Sequence, residues 1–196
     1  PLPGFKEAWL RVAPLLAARH RVVTWDLRVR GPGAADWRTH LADFEQVARV
    51  HAPEGALVVG HSLGGMLALQ WALAHPDQVR GLVLSSTFPR VRFAWEQVPQ
   101  RWLAQPVVLG AQRWLPDRWS RAAARAFARR SAWVYDPHCD DDVVELVRFG
   151  IRRFRLAEVG AALRLAFAHD VAPRLGGVRV PALVVVGARE TPWALR

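Results

Sequence analysis

The chain of 196 residues has the length of a single domain, and its 52% hydrophobic content can fill a sizeable core. Its formal charge of +10 comes almost entirely from arginine, with Lys6 the only lysine, and the arginines are spread along the sequence. Nucleic-acid binders tend to concentrate such charge on one element, and no recognisable nucleic-acid motif accompanies it here, so we expect no nucleic-acid partner.

Other sequence features bear on the compartment and on the membrane. Cys139 is the only cysteine, so neither an internal disulfide nor a cysteine metal cluster can form. No basic-then-apolar signal peptide opens the sequence. The apolar run over residues 56–74 imitates a membrane span, but it contains His61, Ser62 and Gln70, which a buried strand followed by a helix explains better. We therefore expect a cytoplasmic protein without stable membrane insertion.

The first fifty residues alternate between helical and strand patterns. After a loop rich in Pro and Gly, apolar residues at helical spacing over residues 9–16 predict a helix that is kinked or starts late, because Pro14 lies inside it. Residues 21–25 predict a short buried strand, and Gly31-Pro32-Gly33 marks the loop that follows. An amphipathic pattern over residues 37–51 predicts the next helix.

The stretch Gly60-His61-Ser62-Leu63-Gly64-Gly65 has the pattern of a nucleophile elbow. An apolar strand pattern over residues 56–59 precedes it, and a helical pattern over residues 63–75 follows. A Gly-rich turn between strand and helix could also be a phosphate loop or a tight connection, but this context favours the elbow. An anion that forms beside Ser62 would meet amides of the helix N-terminus, notably that of Leu63.

Two later strand patterns complete a parallel sheet. Residues 79–84 follow the elbow helix, and residues 180–186 return to strand after a long insertion. Alternating strands and helices of this length predict an α/β fold, a mostly parallel sheet with helices on both faces. Ligands bind beyond the carboxyl ends of such strands. We therefore expect a site at the rim formed by the loops at Phe5, Asp26, Ser62, residues 85–87 and residues 187–190.

The insertion between these strands is rich in tryptophan, arginine and helical patterns, and we interpret it as a helical lid. Its aromatic faces fit either the core of the lid or a wall against the substrate, with core packing favoured. Asp136, His138 and Asp140 could imitate a metal cluster, but helix capping and solvated charge explain them better. We expect no metal and no cofactor.

These residues together resemble the α/β-hydrolase family, in its branch with an inserted helical cap, over nearly the whole chain. The stretch Gly60-His61-Ser62-Leu63-Gly64-Gly65 is similar to the family elbow in its commonest form. Residues 74–84 resemble the stretch after the elbow helix, and Asp26-Leu27-Arg28 resembles the start of the Asp-x-Arg loop. Residues 180–183 with Glu190 resemble the late strand that presents the catalytic acid.

The resemblance implies a role for each matching residue. Ser62 is the nucleophile, the Leu63 amide is one oxyanion donor, and the Phe5 amide is the second. Glu190, which stands where an aspartate is usual, is the acid that orients a histidine base. Pro3-Gly4 stands where the family has a His-Gly pair before the second donor.

The resemblance places the general base on a histidine after the final strand. The sequence reaches Arg196 before such a residue and shows no counterpart of the family's first strands, so we expect an incomplete domain. His61 adjoins the serine but is directed elsewhere, His169 fits a surface or packing role, and His138 lies in the lid. None is a convincing base, so we expect weak nucleophilicity of Ser62 near neutral pH.

The expected function is that of a serine hydrolase of the carboxylesterase type, which acts on a small-molecule ester, thioester or lactone through an acyl-enzyme at Ser62. Acyl transfer at the same elbow and a non-catalytic hydrolase fragment remain as alternatives. The expected organisation is a first part of the core over residues 1–88, a lid over residues 89–170, and the late strand with the acid loop over residues 171–196. The sequence leaves the oligomeric state open.

Overall fold

The computed structural model describes residues 5–91, 116, 118, 119, 149 and 156–187. The chain divides into two compact units, Pro1–Val91 with Gly160–Val186 and Arg92–Val159 with Gly187–Arg196. The first unit contains the sheet and the predicted elbow.

The N-terminal segment differs from its sequence-based prediction at one point. The predicted helix around Pro14 consists of a 3-10 turn, Lys6–Trp9, and a short helix α1, Ala13–Ala17, with the proline in its first turn. The strand predicted for residues 21–25 is wrong, because this segment is coil and the sheet of the described residues is built from three other strands. Its apolar pattern instead reflects packing of Trp25 against the main hydrophobic core.

Helix α2 spans Trp37–His51, which confirms the prediction. Asp36 precedes it in an extended conformation and accepts the Arg38 amide at 3.2 Å, so the helix begins on a side-chain cap. Phe44 is buried on its inner face. The Asp43 carboxylate of this helix accepts hydrogen bonds from both Nε and Nη2 of Arg28, at 2.8 and 2.7 Å. These bonds attach the Asp-x-Arg loop to α2.

Among the described residues the sheet has three parallel strands in the order β1 (Ala56–His61), β2 (Val79–Ser85) and β3 (Ala182–Val185). They confirm the strands predicted for residues 56–59, 79–84 and 180–186 and their parallel arrangement. In its register His61 lies opposite Ser85, and Ser85 lies opposite Val185, so the carboxyl ends of the strands meet at one rim. This register places the end of β1, where the turn to the next helix begins, beside the end of β2.

The two faces of the sheet differ in burial along β1 and β2. Val58, Leu82 and Leu84 are buried in the main core, beneath α2 and the helix that follows β1. Leu57 points to the opposite face and is 61% exposed. All four residues of β3 are exposed, Val184 beside Leu84 included.

Helix α3 spans Leu63–Ala74 and is buried along most of its length. Its Trp71, only 1% exposed, stacks on the Phe44 ring of α2 at 4.5 Å and on the His75 ring at 3.9 Å between centroids. An apolar helix with little amphipathic character is typical of an element with neighbours on several sides. The elbow helix is therefore part of the core, which fixes its first turn.

Helix α4, Leu156–Ala168, brings the chain back to the elbow. Its Leu165 carbonyl accepts the Trp37 indole N–H at 2.9 Å, and the side chains of Ala162, Leu165 and Ala166 pack with Leu63 and Met66 of α3. A 3-10 turn, Ala172–Gly177, then leads to β3.

The segment after β2 contacts the segment after α4. Arg90 and Asp170 form an antiparallel bridge and an ion pair of 3.3 Å, and the Val171 amide donates to the Pro89 carbonyl at 2.8 Å. The lid predicted for residues 89–170 lies largely outside the described residues and stays a prediction, as do the domain limits.

Among the described residues, no helix has the length and apolar character needed to cross a membrane. No group of three or more His, Cys, Asp or Glu side chains in this part of the chain could hold a metal ion. Asp136, His138 and Asp140, weighed above as a metal cluster, lie outside it.

Candidate active site at the strand-to-helix turn

Ser62 lies between β1 and α3 in a strained backbone conformation. Its φ is 53° and its ψ is −119°, outside the regions that non-glycine residues favour. Such a conformation costs about 1–3 kcal/mol and persists only where the surroundings over-determine it. Among the described residues other than glycine, only Ser86 shares a positive φ. The backbone of the turn from β1 into α3 is therefore strained at Ser62.

The turn is possible because two glycine backbones approach each other closely. A Cβ atom placed on Gly60 would lie 2.5 Å from the Gly65 Cα and 2.6 Å from the Gly64 carbonyl oxygen. These neighbours are backbone atoms and cannot rotate away. At Gly64, by contrast, an added Cβ would meet nothing within 4 Å.

The first turn of α3 directs amides toward the serine side of the sheet rim. The Gly65 and Met66 amides donate to the Ser62 carbonyl at 3.0 and 3.2 Å. The Leu63 amide precedes them at the helix start, where no intrahelical acceptor exists. It thus lies next to Ser62 at the positive end of the helix dipole, where an oxyanion would be stabilised.

The segment that follows β2 holds the turn from the other side. The Ser62 amide donates to the Ser85 carbonyl at 3.0 Å, and the Thr87 hydroxyl donates to the Ser62 carbonyl at 2.7 Å. The Ser86 amide donates to the Val185 carbonyl at 2.9 Å, which joins the same segment to β3. Sequence reasoning placed residues 85–87 at the rim but did not identify these bonds.

His61 is not a base for Ser62 in this geometry. Its Nδ1 lies 3.3 Å from the Ser85 hydroxyl, within hydrogen-bond distance. Burial lowers the pKa of His61 to about 4, so the imidazole is neutral at pH 7 and a weak proton acceptor. The expectation that this side chain is directed elsewhere agrees with its contact to Ser85.

His169 has a packing role. It is 1% exposed, its Nδ1 lies 3.2 Å from the Gln70 amide nitrogen, and its ring centroid lies 5.5 Å from that of Trp37. Burial lowers the pKa of His169 to about 4. The imidazole joins α2, α3 and the segment after α4, and its neighbour Asp170 binds Arg90 at the surface.

Phe5, Leu63 and Glu190 are the remaining residues predicted for the site. Phe5 is buried at the start of the N-terminal 3-10 turn, and the next amide, that of Lys6, donates to the Asp26 carboxylate at 2.9 Å. The loops at Phe5 and Asp26 are thus joined, as their predicted convergence requires. Leu63 and Ser62 are brought together at the elbow. Glu190 lies outside the described residues.

An apolar cluster lies beside the first turn of α3. Its buried members come from α3 and α4, and half-buried side chains flank it, namely Leu27, Trp37, Phe88 and Val91. From the sequence we assigned residues 156–168 to the lid, and we did not predict that α4 contacts α3. The signal was the small and apolar residues Ala161, Ala162, Leu165 and Ala166 at helical spacing, all of which are buried.

Comparison with known proteins gives consistent matches. The family model described as the alpha/beta hydrolase fold matches residues 2–191. The pimeloyl-[acyl-carrier protein] methyl ester esterase of Edwardsiella ictaluri is 30% identical over 186 residues, which cover 94% of this chain and 70% of that protein.

Two solved structures show the same fold. The enol-lactonase from Burkholderia xenovorans superposes with a TM-score of 0.71 at 21% identity, covering 96% of this chain and 70% of that one. A thermophilic esterase from Thermogutta terrifontis gives a TM-score of 0.68 at 23% identity, covering 95% and 68%. These matches confirm the predicted fold, a parallel sheet with helices.

The close glycine approach predicts opposite effects for two matched substitutions. Gly60→Ala should lower the free energy of unfolding by about 1–3 kcal/mol, because the new methyl group overlaps backbone atoms. Gly64→Ala should leave it unchanged or raise it by up to about 1 kcal/mol, because the methyl group has space and alanine favours a helix. Urea unfolding followed by circular dichroism measures both. Equal losses in the two variants would contradict the assigned packing.

The two buried neutral histidines predict a loss of stability in acid. An unfolded histidine titrates near 6.5, whereas His61 and His169 titrate at about 4 when folded. Between these values the unfolded state binds more protons, so the free energy of unfolding falls as pH drops from about 6.5 to 4, by up to about 1.4 kcal/mol per pH unit for each proton. Urea unfolding at a series of pH values measures the slope.

A pair of variants isolates the contribution of one histidine to that slope. His169→Gln removes a group that titrates only on unfolding, so the stability of this variant should depend less on pH between 6.5 and 4. His20→Gln, at an exposed position, is the control for the change of residue type outside the core. Identical slopes for His169→Gln and the wild type would refute the prediction.

Proposed function

Because the chain belongs to the α/β-hydrolase family of enzymes, we propose that it is a serine esterase of the carboxylesterase type. It hydrolyses an ester, thioester or lactone through an acyl-enzyme on Ser62. The observation that carries this proposal is the strained serine at the start of α3, with the Leu63 amide beside it. A phosphate loop, the other interpretation of a Gly-rich turn, does not require a serine in this conformation.

In the proposed reaction, Ser62 Oγ attacks the carbonyl carbon of the substrate and its proton passes to a base. The tetrahedral oxyanion accepts hydrogen bonds from the Leu63 amide and from that of Phe5. Collapse of this intermediate breaks the bond to the leaving alcohol or thiol, which takes the proton from the base. Water then attacks the acyl-enzyme by the same route and releases the carboxylic acid.

The base in this proposal is a histidine that Glu190 orients, and none of the described histidines fills this role. A chain that lacks such a histidine should show only slow labelling and turnover at Ser62. His61 and His169 are both neutral at pH 7 with pKa values of about 4, far from the operating pH at which a general base is most effective. His61 also contacts the Ser85 hydroxyl, and His169 is enclosed by α2 and α3.

The substrate class follows from the apolar cluster and from the relatives. The Edwardsiella ictaluri relative is named for a methyl ester of a carrier-bound acyl chain. In this chain Leu27, Phe88 and Val91 lie half-buried against the apolar cluster at the elbow helix. We infer a small acyl substrate whose apolar chain packs on these side chains, in a protein without a metal or other cofactor.

Activity-based labelling tests the nucleophile. A fluorophosphonate probe should label the protein, and Ser62→Ala should abolish labelling, because the adduct forms on the serine oxygen. Tryptic digestion shows which serine carries the adduct. The peptide over residues 50–80 contains Ser62 and no other serine, whereas the peptide over residues 81–90 contains Ser85 and Ser86. The adduct should be found by mass spectrometry on the first peptide. An adduct on the second, or equal labelling of wild type and Ser62→Ala, would overturn the assignment.

Product analysis with the same protein distinguishes hydrolysis from acyl transfer. With p-nitrophenyl butyrate as the acyl donor, an esterase forms only butyrate and p-nitrophenol. Addition of a primary alcohol at increasing concentration tests the alternative. A new ester whose yield rises with the acceptor supports transfer, and its absence at every concentration supports hydrolysis.

Substitution at Glu190 tests the acid. Glu190→Gln keeps the size of the side chain but removes its charge, so kcat should fall by roughly 10²-fold or more as stabilisation of the imidazolium is lost. Glu190→Asp keeps the charge and should retain most of the activity. Hydrolysis of p-nitrophenyl butyrate measures both. Equal kcat for Glu190→Gln and wild type would show that a residue other than Glu190 is the acid.

A further inference from the structure

The structure assigns to Thr87 a function at the nucleophile turn that the family match does not specify. We propose that Thr87 is a positioning residue, which orients the peptide between Ser62 and Leu63 and so aims the Leu63 amide at the oxyanion. This inference rests on the proposed esterase function. Its physical basis is one hydrogen bond, from the Thr87 hydroxyl to the Ser62 carbonyl at 2.7 Å.

The peptide group between Ser62 and Leu63 is planar. The Ser62 carbonyl and the Leu63 amide belong to the same rigid trans unit, so their directions are opposite and fixed relative to each other. Any bond that orients the carbonyl therefore orients the amide. The carbonyl accepts the Gly65 and Met66 amides from within the helix at 3.0 and 3.2 Å. Among the described residues, the shorter bond from Thr87 is the one that comes from outside α3.

The same bond also strengthens the amide as a donor. Hydrogen bonds in a chain polarise one another, and a carbonyl that accepts more strongly leaves its peptide N–H more positive. The Leu63 amide lies at the opposite end of this peptide from the Thr87 hydroxyl. Thr87 thus acts on the oxyanion through another group and need not touch the substrate.

Packing keeps Thr87 in register with the turn. A Cβ on Gly65 would lie 2.6 Å from both Cβ and Cγ2 of Thr87, so the threonine side chain lies directly against the bare backbone of α3. Two residues earlier, the Ser85 carbonyl accepts the Ser62 amide at 3.0 Å. One segment therefore holds both peptides that flank Ser62, which opposes relaxation of its strained φ and ψ.

Two conservative variants separate the hydroxyl from the shape of the side chain. Thr87→Val keeps the branched shape and removes the donor, so the rate of fluorophosphonate labelling and kcat for p-nitrophenyl butyrate should fall roughly 10–100-fold with KM little changed. Thr87→Ser keeps the donor and should stay within roughly 3-fold of wild type. Thr39→Val is the matched control, because it removes a 3.1 Å hydroxyl bond to Asp36 at the start of α2, away from the elbow.

A second readout does not depend on turnover. Loss of the bond at the Ser62 carbonyl reduces polarisation of the shared peptide, so the assigned Leu63 amide resonance in a ¹H–¹⁵N spectrum should move upfield in Thr87→Val and not in Thr39→Val. Thr87→Ser should restore its position.

The outcomes distinguish this inference from the proposed function. Absence of wild-type labelling at Ser62 would refute the esterase proposal, and the amide resonance would then decide the role of Thr87 alone. Wild-type labelling with an unchanged rate in Thr87→Val would overturn the inference. Equal losses in Thr87→Val and Thr87→Ser would also overturn it, because shape rather than the hydroxyl would then matter.

Discussion

The contact on which the site depends is the approach of the Gly60 backbone to that of Gly65, at the junction of β1 and α3. A side chain at Gly60 would overlap the Gly65 Cα at 2.5 Å, so the strand can turn into the helix this sharply only without one. The sharp turn forces Ser62 to a φ of 53°. It also brings the first amides of α3 to the same point, because the helix begins at the next residue. A steric requirement on one residue thus accounts both for the strained backbone of Ser62 and for the position of the Leu63 amide beside it.

The sheet register extends this local constraint to the rest of the rim. Since His61 lies opposite Ser85 and Ser85 opposite Val185, the three strands end at the same level. The segment after β2 can then bond to the elbow on one side and, through the Ser86 amide, to β3 on the other. The buried Trp71 and its neighbours hold α3 in place from beneath. Errors in strand pairing would therefore disturb the serine and its supporting bonds together.

Features encoded by local pattern were predictable from the sequence, and features that depend on distant partners were not. The spacing of Gly60, Ser62 and Gly64 with its flanking apolar runs predicted the turn, because backbone sterics act over a few residues. The strand assigned to residues 21–25 was wrong, since strand formation requires a neighbouring strand that the local pattern does not reveal. Residues 85–87 were expected at the rim, but the bond of Thr87 to Ser62 was not predicted, because it spans 25 residues and leaves no periodic signal.

Stability and reactivity rest on the same contacts in this turn. The strain at Ser62, of about 1–3 kcal/mol, is comparable to the net gain from one or two good hydrogen bonds, about 0.5–1.5 kcal/mol each. Two such bonds involve Ser62: its amide donates to the Ser85 carbonyl, and its carbonyl accepts the Thr87 hydroxyl. They therefore offset the strain without removing it, and they fix the peptide that carries the Leu63 amide. Loss of either bond should first relax the turn, and only secondarily unfold the sheet, because Trp71 and the core of α3 remain packed below it.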